Sequence, residues 1–177
     1  MEEPPFDRLY SGWRLTQTSG LGGDGLPHAD LPPEPGRSLF ETLEQSGLPD
    51  EETYILVRRD HTFAILNVFP YTSGHLMALP KRAVPTLAEL EADVFHELWS
   101  LVREAITAVN VAFRPQGLNV GLNEGTAGGG SIPEHLHVHV VPRWDADTNF
   151  MTSIANTRIL PVTLIDTWHH LRNHWPR

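Results

Sequence analysis

Hydrophobic and polar positions follow two rhythms along this chain. Short apolar runs bounded by turn residues read as strands at Tyr54 to Arg58, Phe63 to Asn67 and His75 to Leu79. Arg59-Asp60-His61 and Pro70-Tyr71-Thr72-Ser73-Gly74 separate them, which predicts an antiparallel meander. A helical period then takes over. Leu87, Leu90, Val94, Leu98, Leu101, Val102, Ala105, Ile106 and Val109 form one apolar stripe, and Thr86-Leu87-Ala88-Glu89 at its head has the form of a capping box. Arg114-Pro115-Gln116-Gly117 ends that helix. Leu118 to Asn123 reads as a fourth strand, His135 to Val141 as a fifth, and Leu160 to Asn173 as a closing amphipathic helix. Antiparallel strands beside one long helix make an α+β domain, a five-stranded sheet with that helix packed on a face.

Ahead of this body the pattern is weak. Residues 1–36 hold six prolines and six glycines, a density that excludes long regular elements and predicts an irregular N-terminal arm before a domain over 37–177. Phe6 to Arg14 is an aromatic cluster within that arm, read either as packing on the body or a partner chain, or as part of a tethered tail. Ser38 to Gln45 predicts a short helix stopped at Gly47, and Asp50-Glu51-Glu52 a solvated turn.

Composition narrows the chemistry. A formal net charge of −9 argues against wrapping nucleic acid, whose affinity comes from many cations, but a small anion met locally by His, Arg and backbone N–H groups is compatible with it. The chain has no cysteine, which excludes disulfides, thiolate metal ligands and a thiol nucleophile. No apolar run approaches a membrane span, and Met1-Glu2-Glu3-Pro4-Pro5 lacks the basic and apolar regions of a signal peptide, so a cytoplasmic protein is expected.

Candidate chemistry concentrates in one stretch. In His135-Leu136-His137-Val138-His139-Val140-Val141 the apolar residues alternate with three histidines, which a strand would place in a row on one face, about 6.6–6.8 Å apart. Just upstream, Ala127-Gly128-Gly129-Gly130-Ser131 lacks bulky side chains and can bring N–H groups close to an anion. One reading is nucleophilic: a neutral imidazole attacks phosphorus, its other nitrogen held by a fixed acceptor, while the loop meets charge on the phosphate oxygens. A second is metal binding, since His-x-His on a strand can ligate zinc, although a metal site gives no reason for the glycines. A third is a polar strand face without function.

These residues resemble the signature of the histidine-triad (HIT) superfamily. The resemblance extends to Phe63-Ala64-Ile65-Leu66-Asn67 with Pro70 and Ser73-Gly74-His75-Leu76, to Asn123-Glu124-Gly125 and the loop to Ser131, and to Pro142-Arg143-Trp144, Asp147-Thr148-Asn149-Phe150-Met151 and Thr157-Arg158-Ile159-Leu160-Pro161. The last three, with Arg8-Leu9-Tyr10 to Trp13-Arg14, are similar to the bacterial diadenosine tetraphosphate phosphorylase branch. It implies a HIT-like fold and an enzyme acting at the α-phosphate of an adenine (di)nucleoside polyphosphate, with water or phosphate as second acceptor. A nucleotide-binding sensor with weak catalysis is the alternative from another class.

By the same resemblance, His137 is the nucleophile, His139 contacts phosphate and His135 supports the site. Ser131 and the amides near Gly130 meet phosphate oxygens or the leaving group, Asn67 the ribose, Asn123 the phosphate end, and His75, Trp144 and Asn149 line the substrate. Many relatives carry Cys-x-x-Cys where this chain has Ser38-Leu39-Phe40-Glu41. No cofactor and no structural zinc are therefore expected, and local packing must hold that corner. A homodimer using the long helix and a sheet edge is also implied.

Overall fold

The computed structural model describes residues 34–148, 150, 154 and 160–176. Most of the N-terminal arm, with its aromatic cluster, lies outside these residues, as do Asn149, Met151 and Thr157 to Ile159. Among the described residues the elements run α1 (Leu39–Gln45), α2 (Asp50–Thr53), β1 (Ile55–Arg58), β2 (Thr62–Leu66), β3 (Leu76–Pro80), a 3₁₀ turn (Leu87–Glu89), α3 (Ala92–Phe113), β4 (Gly117–Leu122), β5 (Val138–Arg143) and α4 (Leu164–Asn173).

The strands form one antiparallel sheet in the order β1-β2-β3-β5-β4. The expected meander is its first half. The chain then crosses by α3 to the far edge, lays down β4, and returns with β5 into the gap beside β3. On one face Leu66, Leu76, Ala78, Val138 and Val140 pack against α3 through Leu98, Leu101, Val102, Ala105 and Val109, with Trp168 and Leu171 of α4 closing the end. On the other, Ile55, Phe63, Ile65, Met77 and Leu79 meet Phe40 and Leu43 of α1. Every residue of β2 and β3 is buried, so these strands read as apolar runs rather than alternation.

Three sequence expectations change. The long helix does not start at Thr86. Thr86 opens only the 3₁₀ turn, Leu90 is extended, and α3 begins at Ala92. The Thr86 hydroxyl donates to the Glu89 carboxylate at 2.9 Å, so the two side chains of the expected capping box bond each other instead of the backbone, while Leu87 N–H donates to Glu124 at 2.6 Å. The acidic segment at 50–52 is a turn of helix with Glu51 and Glu52 exposed as expected of a solvated turn, but Asp50 accepts from both Arg58 and Arg172, tying α4 to β1. Burial opposes ionisation of Asp50, but those two guanidiniums outweigh it and hold its carboxyl below the ordinary range. The fifth strand begins at Val138, so His135 and His137 precede the ladder instead of lying in it. His135 sits in a turn, its N–H on Ile132 O at 3.2 Å, and Leu136 N–H reaches Val84 O at 2.8 Å.

Gly74 is required where β3 begins. It has φ +86°, and a Cβ there would come within 3.0 Å of the Phe113 ring and 3.1 Å of Pro142. The close approach seats the turn before His75 against α3.

Candidate active site

The three rings do not share an open face. His135 has no exposed surface, His137 is 4% exposed, and His139 is half-buried. The physical reason is α1, whose Phe40 ring lies 5.4 Å from His135 and 5.5 Å from His137, centroid to centroid. Ser38 caps that helix, accepting the Glu41 N–H at 3.1 Å while the Glu41 carboxylate accepts from Ser38 N–H at 2.9 Å. The other oxygen of Glu41 accepts from Ala83 N–H at 2.9 Å. Burial opposes its charge, but these amides more than offset it, and Glu41 titrates below the ordinary carboxylate value.

His135 has both nitrogens committed. Pro80 O lies 2.8 Å from Nε2, and a carbonyl only accepts, so Nε2 carries the hydrogen. Nδ1 therefore accepts from the Ser38 hydroxyl at 2.6 Å. Burial lowers the basicity of this ring against the partial support of Pro80, which keeps it neutral near pH 7.

His137 differs in one respect. Its Nδ1 is 2.8 Å from the carbonyl of His135, which fixes the hydrogen on Nδ1 and leaves the lone pair on Nε2. Burial lowers its pKa as well, so the neutral ring with its Nε2 lone pair is the resting form. The His139 ring stands nearly perpendicular to it at 4.9 Å.

His139 is tuned from the other side by His75, which is buried. Tyr71 N–H donates to His75 Nδ1 at 3.1 Å, so His75 Nε2–H donates to His139 Nδ1 at 3.0 Å. The hydrogen of His139 then sits on Nε2. Two adjacent imidazoles thus carry opposite functions on the same atom, a lone pair on His137 Nε2 and a hydrogen on His139 Nε2.

Other expected residues fall into two groups. Asn67 comes to the edge of this cluster: its Oδ1 accepts from Phe69 N–H at 2.9 Å, and its Nδ2 lies 3.4 Å from His75 Nε2, a contact between two hydrogen-bearing nitrogens. Asn123 follows Leu122, the β4 partner of Val138, so it leaves the sheet level with His137. Ser131 is exposed at the loop's end, and Trp144 is half-buried beyond β5, its N–H on Asp147 at 3.2 Å. Asn149 lies outside the described residues.

The glycine loop departs most from expectation. Gly130 N–H donates to Gly125 O and Gly129 N–H to Thr126 O, both at 3.1 Å, so the amide expected to meet phosphate at Gly130 serves the loop's own turn. A Cβ on Gly128 would stand 2.4 Å from Glu124 O. The glycines allow the loop to fold on itself. Arg143 likewise faces a carboxylate, holding Asp147 through Nε at 2.6 Å and Nη2 at 2.9 Å, with Nη1 on Asn119 at 2.7 Å. Sequence reasoning did not assign Ser38, Phe40 or Tyr71 to the site. Ser38-Leu39-Phe40-Glu41 has the Ser-x-x-Glu form of a capping box, a signal that could place the helix start but that nothing local links to His135.

At the head of an interior strand of this antiparallel sheet, one imidazole presents a lone pair beside another that presents a hydrogen. The chain belongs to the HIT family, whose domain matches residues 49–146. It is 45% identical to the AP-4-A phosphorylase of Mycobacterium tuberculosis over 97% of this chain and 86% of that protein. A bis(5'-nucleosyl)-tetraphosphatase (asymmetrical) of Schizosaccharomyces pombe is 32% identical over 52% of this chain and 50% of its own length. In fold it is similar to a zinc-bound histidine triad family protein from Mycobacterium smegmatis, at a TM-score of 0.63 and 22% identity over 77% of this chain and 91% of that one.

Proposed function

We propose that this chain is an enzyme that cleaves an adenine (di)nucleoside polyphosphate at the α-phosphorus through a covalent nucleotidyl-histidine on His137. The observation that carries this reading is the His135 carbonyl 2.8 Å from His137 Nδ1, which leaves Nε2 unprotonated in a nearly dry setting. The Nε2 lone pair forms the N–P bond as the bond from phosphorus to the bridging oxygen breaks. The electron pair leaves with that oxygen as a phosphate anion, to which the His139 Nε2–H donates a hydrogen bond. An acceptor oxygen then attacks the nucleotidyl-histidine, loses its proton to the site and restores His137. Asn67 meets the ribose, Ser131 and Asn123 the phosphate chain, and Trp144 and Asn149 the rest of the substrate.

Phosphate is the acceptor favoured here, because the M. tuberculosis relative matched over nearly the whole chain is named a phosphorylase. The reaction needs no bound metal in this reading. Both His135 nitrogens and His137 Nδ1 are already bonded, and no group of three or more His, Asp or Glu among the described residues is arranged to hold an ion. Zinc does not suit the Ser38–Glu41 corner either, where the hydroxyl and both carboxylate oxygens are engaged with neighbours. A homodimer is part of the proposal, supported by the open β4 edge with Val120 and by Val111 on α3, both exposed. No helix among the described residues is long and apolar enough to cross a membrane.

Incubation with diadenosine tetraphosphate, with and without phosphate, tests the reading. Attack at the α-phosphorus releases ATP, and the bound adenylyl group leaves as ADP with phosphate or as AMP with water. ATP and ADP are expected. His137→Ala should lower turnover by on the order of 10³-fold or more while nucleotide still binds. Full activity in that variant, measured by product chromatography, would sink the mechanism.

A further inference from the structure

The first turn of α1 reaches two triad histidines from 97 residues earlier in the chain. We propose that Ser38 is a positioning residue for the reaction at His137, locking the His135 ring and through it the carbonyl that holds His137 Nδ1. This rests on His137 as the attacking group.

The direction of each hydrogen bond follows from its partner. Ser38 Oγ accepts from Glu41 N–H at 3.1 Å, and its own hydrogen goes to His135 Nδ1 at 2.6 Å, because Nε2–H is taken by Pro80 O at 2.8 Å. Ser38 and Pro80 are in turn fixed to each other. The Glu41 carboxylate bonds Ser38 N–H on one side and Ala83 N–H, three residues past Pro80, on the other, each at 2.9 Å. His135 is thus clamped at both ring nitrogens inside a closed frame that joins α1 to the end of β3. Phe40, at right angles to the ring, covers it from water.

What the frame delivers is the orientation of one carbonyl. The His135 backbone sits outside the β5 ladder, where the peptide unit of its carbonyl is anchored by Leu136 N–H on Val84 O at 2.8 Å and the ring supplies a second anchor. Ring and backbone are anchored together, and the His135 carbonyl meets His137 Nδ1 at 2.8 Å. Without the Ser38 hydroxyl, Nδ1 becomes a buried acceptor with no partner. The ring relieves this by rotating or changing tautomer, either of which breaks the Pro80 bond and leaves the carbonyl's tilt held by the Leu136–Val84 bond alone. His137 then populates the tautomer with hydrogen on Nε2, which cannot attack. A purely structural serine would lower stability without changing His137.

Ser38→Ala and Ser38→Thr in the full chain separate these roles. For Ser38→Ala, kcat should fall about tenfold while KM stays within about twofold. Imidazole ¹⁵N spectra should show His137 passing from one tautomer, hydrogen on Nδ1, to a mixture. Ser38→Thr keeps the hydroxyl and should restore both readings. A folded Ser38→Ala protein with native kcat and a single His137 tautomer overturns the proposal, as does a threonine variant that fails to rescue. If Ser38→Ala does not fold, Glu41→Gln serves. It retains an acceptor for Ala83 but loses the one for Ser38, and should give the same tautomer mixing with about a threefold loss of kcat. An unchanged His137 spectrum there is equally fatal. The spectra report on His137 whether or not the chain turns over dinucleotides, so an active His137→Ala variant and an uncoupled Ser38 are distinct failures.

Discussion

The two ends of the histidine triad are built on opposite plans. At the His135 end α1 closes over the rings, every polar atom has a partner, and Phe40 and Leu43 exclude water. At the His139 end the neighbouring strand is the sheet edge, and the residue paired with His139 is Gly121. A Cβ on Gly121 would meet nothing within 4 Å, so space remains open beside the ring on the same face. The closed end supplies orientation, and the open end supplies room for a substrate. His137 stands at the junction, buried like the first and beside the His139 ring of the second. Group transfer needs both, since a reactive nitrogen must be held still while a large anion approaches.

Filling the open end tests this contrast most severely. Gly121→Val places a branched side chain next to His139 without disturbing a special backbone angle, and valine suits a strand. Stability should hold or rise by about 0.5–1 kcal/mol, whereas kcat/KM should drop by on the order of 10- to 100-fold as the substrate is displaced. Thermal melts and steady-state kinetics on one preparation check both. Native kinetics would mean that substrate does not pass beside His139.

The closed end has a signature in pH. Burial lowers the pKa of His137 below its ordinary value near 6.5, so kcat/KM should be level through neutrality and fall only as pH drops through that lowered value. Phe40→Ala admits water beside the ring and should move this acid limb upward, toward 6.5. The same shift carries a stability consequence of defined sign. A folded pKa below the unfolded one means that the unfolded chain binds more protons, so the contribution of His135 and His137 is present above about 6.5 and is lost as pH falls through their folded values. A limb that stays put in Phe40→Ala would show that burial under α1 is not what depresses His137.

Most of the fold was legible because local pattern and tertiary role agree in it. Phe63-Ala64-Ile65-Leu66 and Leu76-Met77-Ala78-Leu79 crowd apolar residues because both faces of those strands are covered, and the α3 stripe from Leu98 to Val109 faces one core. Reading failed where a distant residue decides a local outcome. Thr86 to Glu89 has the form of a capping box, yet the Thr86 hydroxyl bonds the Glu89 carboxylate, distant Glu124 takes the Leu87 amide, and only a 3₁₀ turn forms. His135 and His137 alternate with apolar neighbours as a strand would, but α1, far upstream, covers their side of the chain. The glycine run was read as a cradle of free amides, and its composition could not reveal that Gly128 is needed where the chain passes Glu124 O. The motif does bring the three histidine rings and His75 together, because it specifies which side chains meet. The tautomers did not follow from the motif, since they depend on the carbonyl of Pro80, the hydroxyl of Ser38 and the amide of Tyr71.

Two buried serines give the mildest and most direct form of the comparison. Ser38, 5% exposed, belongs to the closed end and has two partners for its hydroxyl. Ser73, 8% exposed, lies two residues before His75 on the open side, and its Oγ has no hydrogen-bond partner among the described residues. The same substitution should therefore act with opposite sign. Ser38→Ala strands an acceptor and should destabilise, whereas Ser73→Ala removes a desolvated hydroxyl and should stabilise by about 1 kcal/mol, raising Tm by about 2–4 °C. Catalysis should be unchanged in Ser73→Ala, because the His75 contacts to Tyr71 and His139 do not pass through it. A fall in Tm would mean that Ser73 is satisfied by water in the adjoining cleft of about 290 Å³. A rise in KM at unchanged Tm would instead assign the hydroxyl to the substrate, and the open end would then extend past His75 to the loop ahead of β3.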